Sequence, residues 1–183
     1  GADIISSSLG YSTFDDSSFN YSPAKMNGNY TRISKAASIA FSKGMLIVSS
    51  AGNMGEKLWK KVSSPADCPE VLSVGSVNYS GKHSSFSSYG PTADGRIKPD
   101  VMAMGQRPAN IKRNGKVSNL GQGTSYSAPI ISGLSACLWQ AFPDLTNIEI
   151  KNAIISSSSQ YNNPDTILGY GIADFKKAYF NLL

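Results

Sequence analysis

Apolar positions fall into two kinds of block along the chain. "MLIVSS" at 45–50, "VLSVGSV" at 71–77 and "DVMAMG" at 100–105 are short, nearly unbroken aliphatic or small-residue runs. Runs of this length suit strands buried on both faces. "DIISSSLG", 3–10, reads as a further strand ending in glycine. The other blocks are periodic. Ile33, Ala36, Ala37, Ala40 and Phe41 recur at helical spacing before Gly44, a natural helix stop. A helix starting near Ser125, with Pro129 in its first turns, carries Ile130, Leu134, Cys137, Leu138 and Ala141 inward and ends before Pro143. Thr146 and Glu149 form a capping box for a helix to about Ser156, and Phe175, Ala178, Tyr179 and Leu182 mark a closing amphipathic one. Strand, helix, strand within the first 50 residues is a βαβ unit, so the expected class is α/β with a mostly parallel sheet.

The intervening segments are polar. A Tyr/Ser/Asn-rich loop follows Gly10 as far as about Asn29, residues 106–122 read as loops or a hairpin, and the Ser-rich 156–163 reads as a surface loop. Neither an internal repeat nor a linker is visible, which leaves residues 1–183 as one domain.

Composition narrows the function classes. No apolar run approaches the roughly 20 residues of a bilayer span, and no signal peptide is visible at "GADII". The 17 basic residues against 12 acidic ones are scattered, with no zinc spacing or RNA-binding aromatic motif beside them, so they read as solvated surface and not as a nucleic-acid site. Two Cys and one His at unrelated spacings do not make a metal site. Cys68 and Cys137 are open to either a single bridge or two thiols. Asp15 and Asp16 could take a structural calcium, although a solvated acidic pair is the plainer reading; no cofactor is expected.

"GQGTSYSAPIISG", 121–133, carries the candidate chemistry. A serine at a helix N-terminus sits among unpaired backbone N–H groups and the positive end of the helix dipole, both of which stabilise an oxyanion. Gly123 and Ala128 leave room for a carbonyl to approach Ser125. The same residues also suit an ordinary helix cap. In "SSAGNMG", 49–55, Asn53 lies just past the end of a buried strand, where open parallel sheets hold ligands; its side-chain N–H₂ could complete an oxyanion hole, or the residue could simply turn the chain. A Gly-x-Ser-x-Gly elbow is excluded, because position 127 is Ser and the preceding "SNLGQ" is polar.

In order along the chain, "ADIISSSLG", "GMLIVSSAGNMG", "SPADCPEVLSVGSVN", "SSFSSYGP", "IKPDVMAMG", "GTSYSAPIISG" and "GYGIADFKKA" resemble the subtilisin-like serine proteases, the subtilases. The resemblance implies the subtilisin-like three-layer fold lacking its N-terminal strands, and a C-terminal portion of a catalytic domain. It implies Ser125 as nucleophile, Asn53 as oxyanion donor and Thr124 as a supporting hydroxyl. Ser8, Leu9 and Gly10 would pair with an extended peptide substrate. Ala51 and Gly52 would wall the pocket for the residue before the scissile bond, with Ser63 at its base, and Phe86 would border the leaving-group side. Pro65 stands where the family often has a cis proline. The family's triad order, Asp then His then Ser, puts the first two before "DIISSSLG". His83, in a polar turn without the residues that follow the family's catalytic histidine, is expected to be an exposed surface residue and not the base. The expected activity is therefore that of a serine endopeptidase whose Asp and His come from an upstream part of the same domain, with this chain inactive alone. The alternative is a noncatalytic peptide-binding pseudoprotease. Self-association through an uncovered sheet face and a secreted or cell-envelope location are also implied. Tyr126, Ile130, Met104 and the insertion at 12–31 depart from the family pattern.

Overall fold

A computed structural model describes residues 1–183. Four parallel strands, β1 (Ile4–Ser7), β2 (Leu46–Ser50), β3 (Leu72–Val77) and β4 (Val101–Met104), lie side by side in chain order. Ile5 pairs with Ile47, Val48 with Leu72, and Val74 with Val101, so all four strands finish along one edge of the sheet. Strand alternation sorts the two faces. Leu46, Val48, Leu72, Val74, Val101 and Ala103 join one core with Ala128, Ile131 and Leu138. Ile47 points the other way, into a smaller core with Ala37, Cys68 and Val71. Helix α1 (Arg32–Ser42) thus covers one face, while α2 (Thr124–Ala141), α3 (Asn147–Ser156) and α4 (Phe175–Leu182) cover the other, giving three layers. Segment 106–122 forms a hairpin, β5 (Asn110–Ile111) and β6 (Val117–Ser118). Two 3₁₀ turns, Ser17–Phe19 and Pro23–Lys25, interrupt the loop after Gly10.

Local signals set the helix ends. Thr31 caps α1 by accepting from Ser34 N, and Thr146 with Glu149 completes the predicted capping box of α3. Buried polar groups are paired across elements. Lys98 Nζ donates to Asp100 at 2.5 Å and to the Val71 carbonyl at 2.7 Å, and Asp100 also accepts from Ser73 N at 2.7 Å. Removing one partner of so buried a pair costs about 3–5 kcal/mol, so this contact pins β3 to the start of β4.

Two helix faces differ from expectation. Ile33 and Ala36 are exposed on α1, whose inward side is Ser34 and Ala37. The cause is a polar anchor: Ser34 Oγ donates to the buried Asp67 carboxylate at 2.6 Å, which turns Ile33 outward. On α2, Ile130, Leu134, Cys137 and Ala141 are exposed, and Ser127, Ala128, Ile131, Ser132, Ser135 and Leu138 face the sheet. Small residues let α2 lie close across all four strands, and their hydroxyls are satisfied: Ser127 bonds the Ala103 carbonyl and Ser135 the Ile131 carbonyl. Cys68 and Cys137 are both free thiols, the first buried and the second exposed.

Candidate active site

The strand ends and the start of α2 converge on one cavity of about 210 Å³, lined by Ser8, Gly10, Gly52, Asn53, Thr124 and Ser125, with Ser50, Met54 and Ser63 completing it. None of these side chains is charged, so any charge developing inside would be met by dipoles alone. Asn53 follows β2 and Ser125 is the second residue of α2. Thr124 links them. Its backbone N–H donates to Asn53 Oδ1 at 2.9 Å and its hydroxyl donates to the same oxygen at 3.0 Å. Thr124 Oγ1 in turn accepts from Gly52 N at 3.2 Å. With Oδ1 so engaged, the Nδ2 end of the amide is the end left to donate.

The helix start is itself built for this approach. Gly123 caps α2 with φ 147°, a backbone state that side-chain-bearing residues rarely adopt, and lets the chain turn abruptly into the helix. Pro129 lacks the N–H that would bond the Ser125 carbonyl four residues back. That carbonyl instead accepts from Ser8 Oγ at 3.1 Å, which ties the extension of β1 to the serine. The consequence of Pro129 is legible in the sequence; its partner is not.

The remaining predicted site residues divide. Gly52, with φ 108°, runs so close to Ser63 and Ser88 that an added Cβ would come within 2.9 Å of each hydroxyl oxygen, and Ser63 closes the cavity beneath it. Ala51 is fully buried against Val62 and Ala66, and reaches this region only through its carbonyl, which accepts from Ser63 N at 3.2 Å. Leu9 is exposed, and Phe86 is buried with its carbonyl accepting from Gly55 N; neither lines the cavity. Ser50 and Met54 do line it, although nothing in their sequence context sets them apart. The Ser64–Pro65 peptide is cis.

His83 is half-buried, contrary to the expectation of an exposed residue, because its turn folds back to pair with Val77 and its ring meets Tyr89 edge-on. Burial holds its pKa below the usual histidine value, against the opposing pull of Ser87 and Asp165. It does not line the cavity. Asp16 is occupied as a cap, accepting from Ser18 N at 2.9 Å, and the Ser18 hydroxyl together with that N–H draws its carboxyl below the usual range.

The description "Subtilase family" belongs to the family model that matches residues 1–171. Serine protease AprX of Bacillus subtilis is 30% identical over 158 residues, 75% of this chain and 36% of AprX. Mycosin-1 of Mycobacterium tuberculosis is 31% identical over 156 residues, 72% of this chain and 35% of the relative. This chain thus spans about a third of the length of those curated relatives. The prenylagaramide maturation protease PagA superposes on the whole chain with TM-score 0.73 and 26% identity, the match covering 62% of PagA. A serine and an amide brought to one cavity by a parallel sheet, within a family match that spans nearly every residue, show that this chain belongs to the subtilase family of serine peptidases.

Proposed function

We propose that this chain is the C-terminal portion of a serine endopeptidase domain, in which Ser125 Oγ attacks a peptide carbonyl to give an acyl-enzyme. The Ser125 N–H and Asn53 Nδ2 are the oxyanion donors, and Thr124 holds Asn53 in place. One observation carries this reading: Thr124 engages the Asn53 carbonyl oxygen from two donors, which leaves the amide nitrogen of a residue lining the same cavity as Ser125 free to donate. Such a donor acts by being fixed before charge develops. An extended substrate pairs with Ser8–Gly10, and the residue before the scissile bond enters beside Gly52 and above Ser63. That cavity is small, which favours compact side chains there.

A serine hydroxyl needs a base, and the cavity lining offers none. The catalytic Asp and His come from a segment upstream, which also covers the open side of β1, and the chain alone is inactive beyond a residual of roughly 10³ to 10⁴ over water. No helix here is long and apolar enough to cross a membrane, and a secreted or cell-envelope location follows from the family. A fluorophosphonate probe tests the assignment by mass spectrometry. Ser125 is expected to label fast once the upstream segment is supplied and only slowly in this chain alone. Equal rapid labelling without that segment overturns the inactivity. Absence of labelling with the segment, its Asp and His present, favours a noncatalytic peptide binder.

A further inference from the structure

The hairpin that leaves β4 and returns to α2 has surface properties that neither its fold nor the Ser125 chemistry uses. Residues 101–143 contain no Asp or Glu, and the hairpin segment alone carries Arg107, Lys112, Arg113 and Lys116, all exposed. The two ion pairs of the molecule, Lys98–Asp100 and Arg96–Asp94, involve none of them. Four of the 17 basic residues thus fall within this one acid-free segment. Ile111, Val117 and Leu120 stand beside them, 76%, 76% and 71% exposed. Large apolar side chains interleaved with unpaired cations on a two-stranded ribbon, whose outer edges have no strand partners, suit an extended acidic segment that brings its own backbone donors and acceptors.

Position decides what that segment is. Strands β1 and β4 are the two edges of the sheet, about 14 Å apart at ordinary strand spacing, or roughly four residues of extended chain. Ser8–Gly10 extends β1, whereas the hairpin extends β4, with Asn53 and Ser125 between. The hairpin also abuts the nucleophile's own turn: Arg107 N donates to the Gly121 carbonyl at 2.8 Å, and Tyr126, next to Ser125, joins Asn110, Arg113 and Gly121 in lining a groove of about 370 Å³. A peptide that pairs with Ser8–Gly10 before its scissile bond and continues across the strand ends meets the hairpin after it.

We infer that the 106–122 hairpin is a leaving-group-side subsite that selects substrates with acidic residues a few positions beyond the scissile bond. The inference rests on the assignment of Ser125 as nucleophile, which fixes the direction of the peptide. Each exposed cation contributes little by itself, but four of one sign attract a multiply acidic segment and repel basic ones.

Binding to this chain tests it directly. A fluorescent decapeptide with four Glu or Asp residues among aliphatic ones is compared with its Gln/Asn counterpart by anisotropy. The acidic peptide is expected to bind about tenfold or more tightly at low salt, with the difference shrinking as ionic strength rises. The triple substitution Lys112→Glu, Arg113→Glu, Lys116→Glu removes that preference. Lys35→Glu, Lys43→Glu, Lys176→Glu, an equal charge change elsewhere, keeps most of it. A benzophenone placed beside the acidic run of the peptide crosslinks within residues 107–126 of the unaltered chain. Equal affinity for the two peptides, equal loss in the two triple variants, or crosslinks elsewhere would overturn the subsite. So would hairpin-dependent sedimentation with phosphatidylglycerol vesicles in the absence of any peptide preference. Failure of Ser125 to label is a separate result, which removes the nucleophile assignment while the charge preference of the hairpin is measured independently.

Discussion

Asn53 holds its amide by one end and offers the other, and the two ends can be separated by substitution. Asn53→Asp keeps an oxygen to accept from Thr124 N and Oγ1, so those two hydrogen bonds survive. It removes the N–H₂ and, on the proposed assignment, places negative charge where the oxyanion would build. In the assembled catalytic domain, turnover is expected to fall by at least about 10² to 10³, the magnitude known for loss of the corresponding donor in subtilisin. KM and the thermal midpoint change little, because substrate binding and the cap contacts remain. Steady-state kinetics alongside a melting curve check this; a parallel loss of stability and rate would make Asn53 a structural residue. The residue types and their order in "AGN" and "GTS" are legible in the sequence. The Thr124 link is implied there only by the family resemblance, because a 71-residue separation leaves no local trace of a hydrogen bond.

At the level of elements, α3 brings Lys151 into the layer beneath α1. Lys151 Nζ donates to the Pro69 carbonyl at 2.5 Å and lies over the Phe41 ring, with Lys98, Asp100, Glu70 and Cys68 as its charged or titratable neighbours. Burial lowers its pKa to about 8, while burial and the hydrogen bond to Glu70 raise the Cys68 thiol to about 11. Between pH 8 and 9 the folded chain has released the Lys151 proton that the unfolded chain still holds, so stability rises with pH, by at most about 1.4 kcal/mol per unit. Above about pH 9 the unfolded thiol ionises first and Cys68 contributes the opposite slope. Urea midpoints across about pH 7.5–10 are expected to climb and then level, and Lys151→Met is expected to abolish the climb; a climb that persists in the variant would assign it elsewhere. The capping box marks α3 correctly in the sequence. Nothing there marks Lys151 as buried, since a lysine at that spacing ordinarily lies on the wet face. The same limit applies to α2, where large apolar residues point to Ile130, Leu134 and Cys137 as the core face. Close approach to a sheet selects small residues instead, so the helix sits with Ser127, Ser132 and Ser135 inward.

For the molecule as a whole, that misplaced stripe is a property to be explained. Ile130, Leu134, Cys137 and Ala141 recur along one side of α2, and all are exposed. On the opposite side of the helix, where Ser132 bonds Ser6, the outer edge of β1 has no strand partner, Ile5 on it is 38% exposed, and Ile4, Ala136, Trp139 and Pro143 frame a hollow of about 510 Å³. An open strand edge beside a partly apolar hollow invites both backbone pairing and hydrophobic cover. The solved chain of PagA has further residues beyond the 62% that this chain matches, which fits the proposal that an upstream segment occupies this side. Without such a segment, two copies can serve each other. Sedimentation of this chain at tens of micromolar is therefore expected to show concentration-dependent dimers. Ala136→Lys with Gln140→Lys, both exposed at that hollow, should return it to monomer without lowering its melting point, since neither side chain is part of the α2–sheet core. Adding the upstream segment should have the same effect on the unaltered chain, because both occupants need the same surface. A chain that stays monomeric at all concentrations, or dimers indifferent to both treatments, would show that this face is content with water and that the upstream segment docks elsewhere.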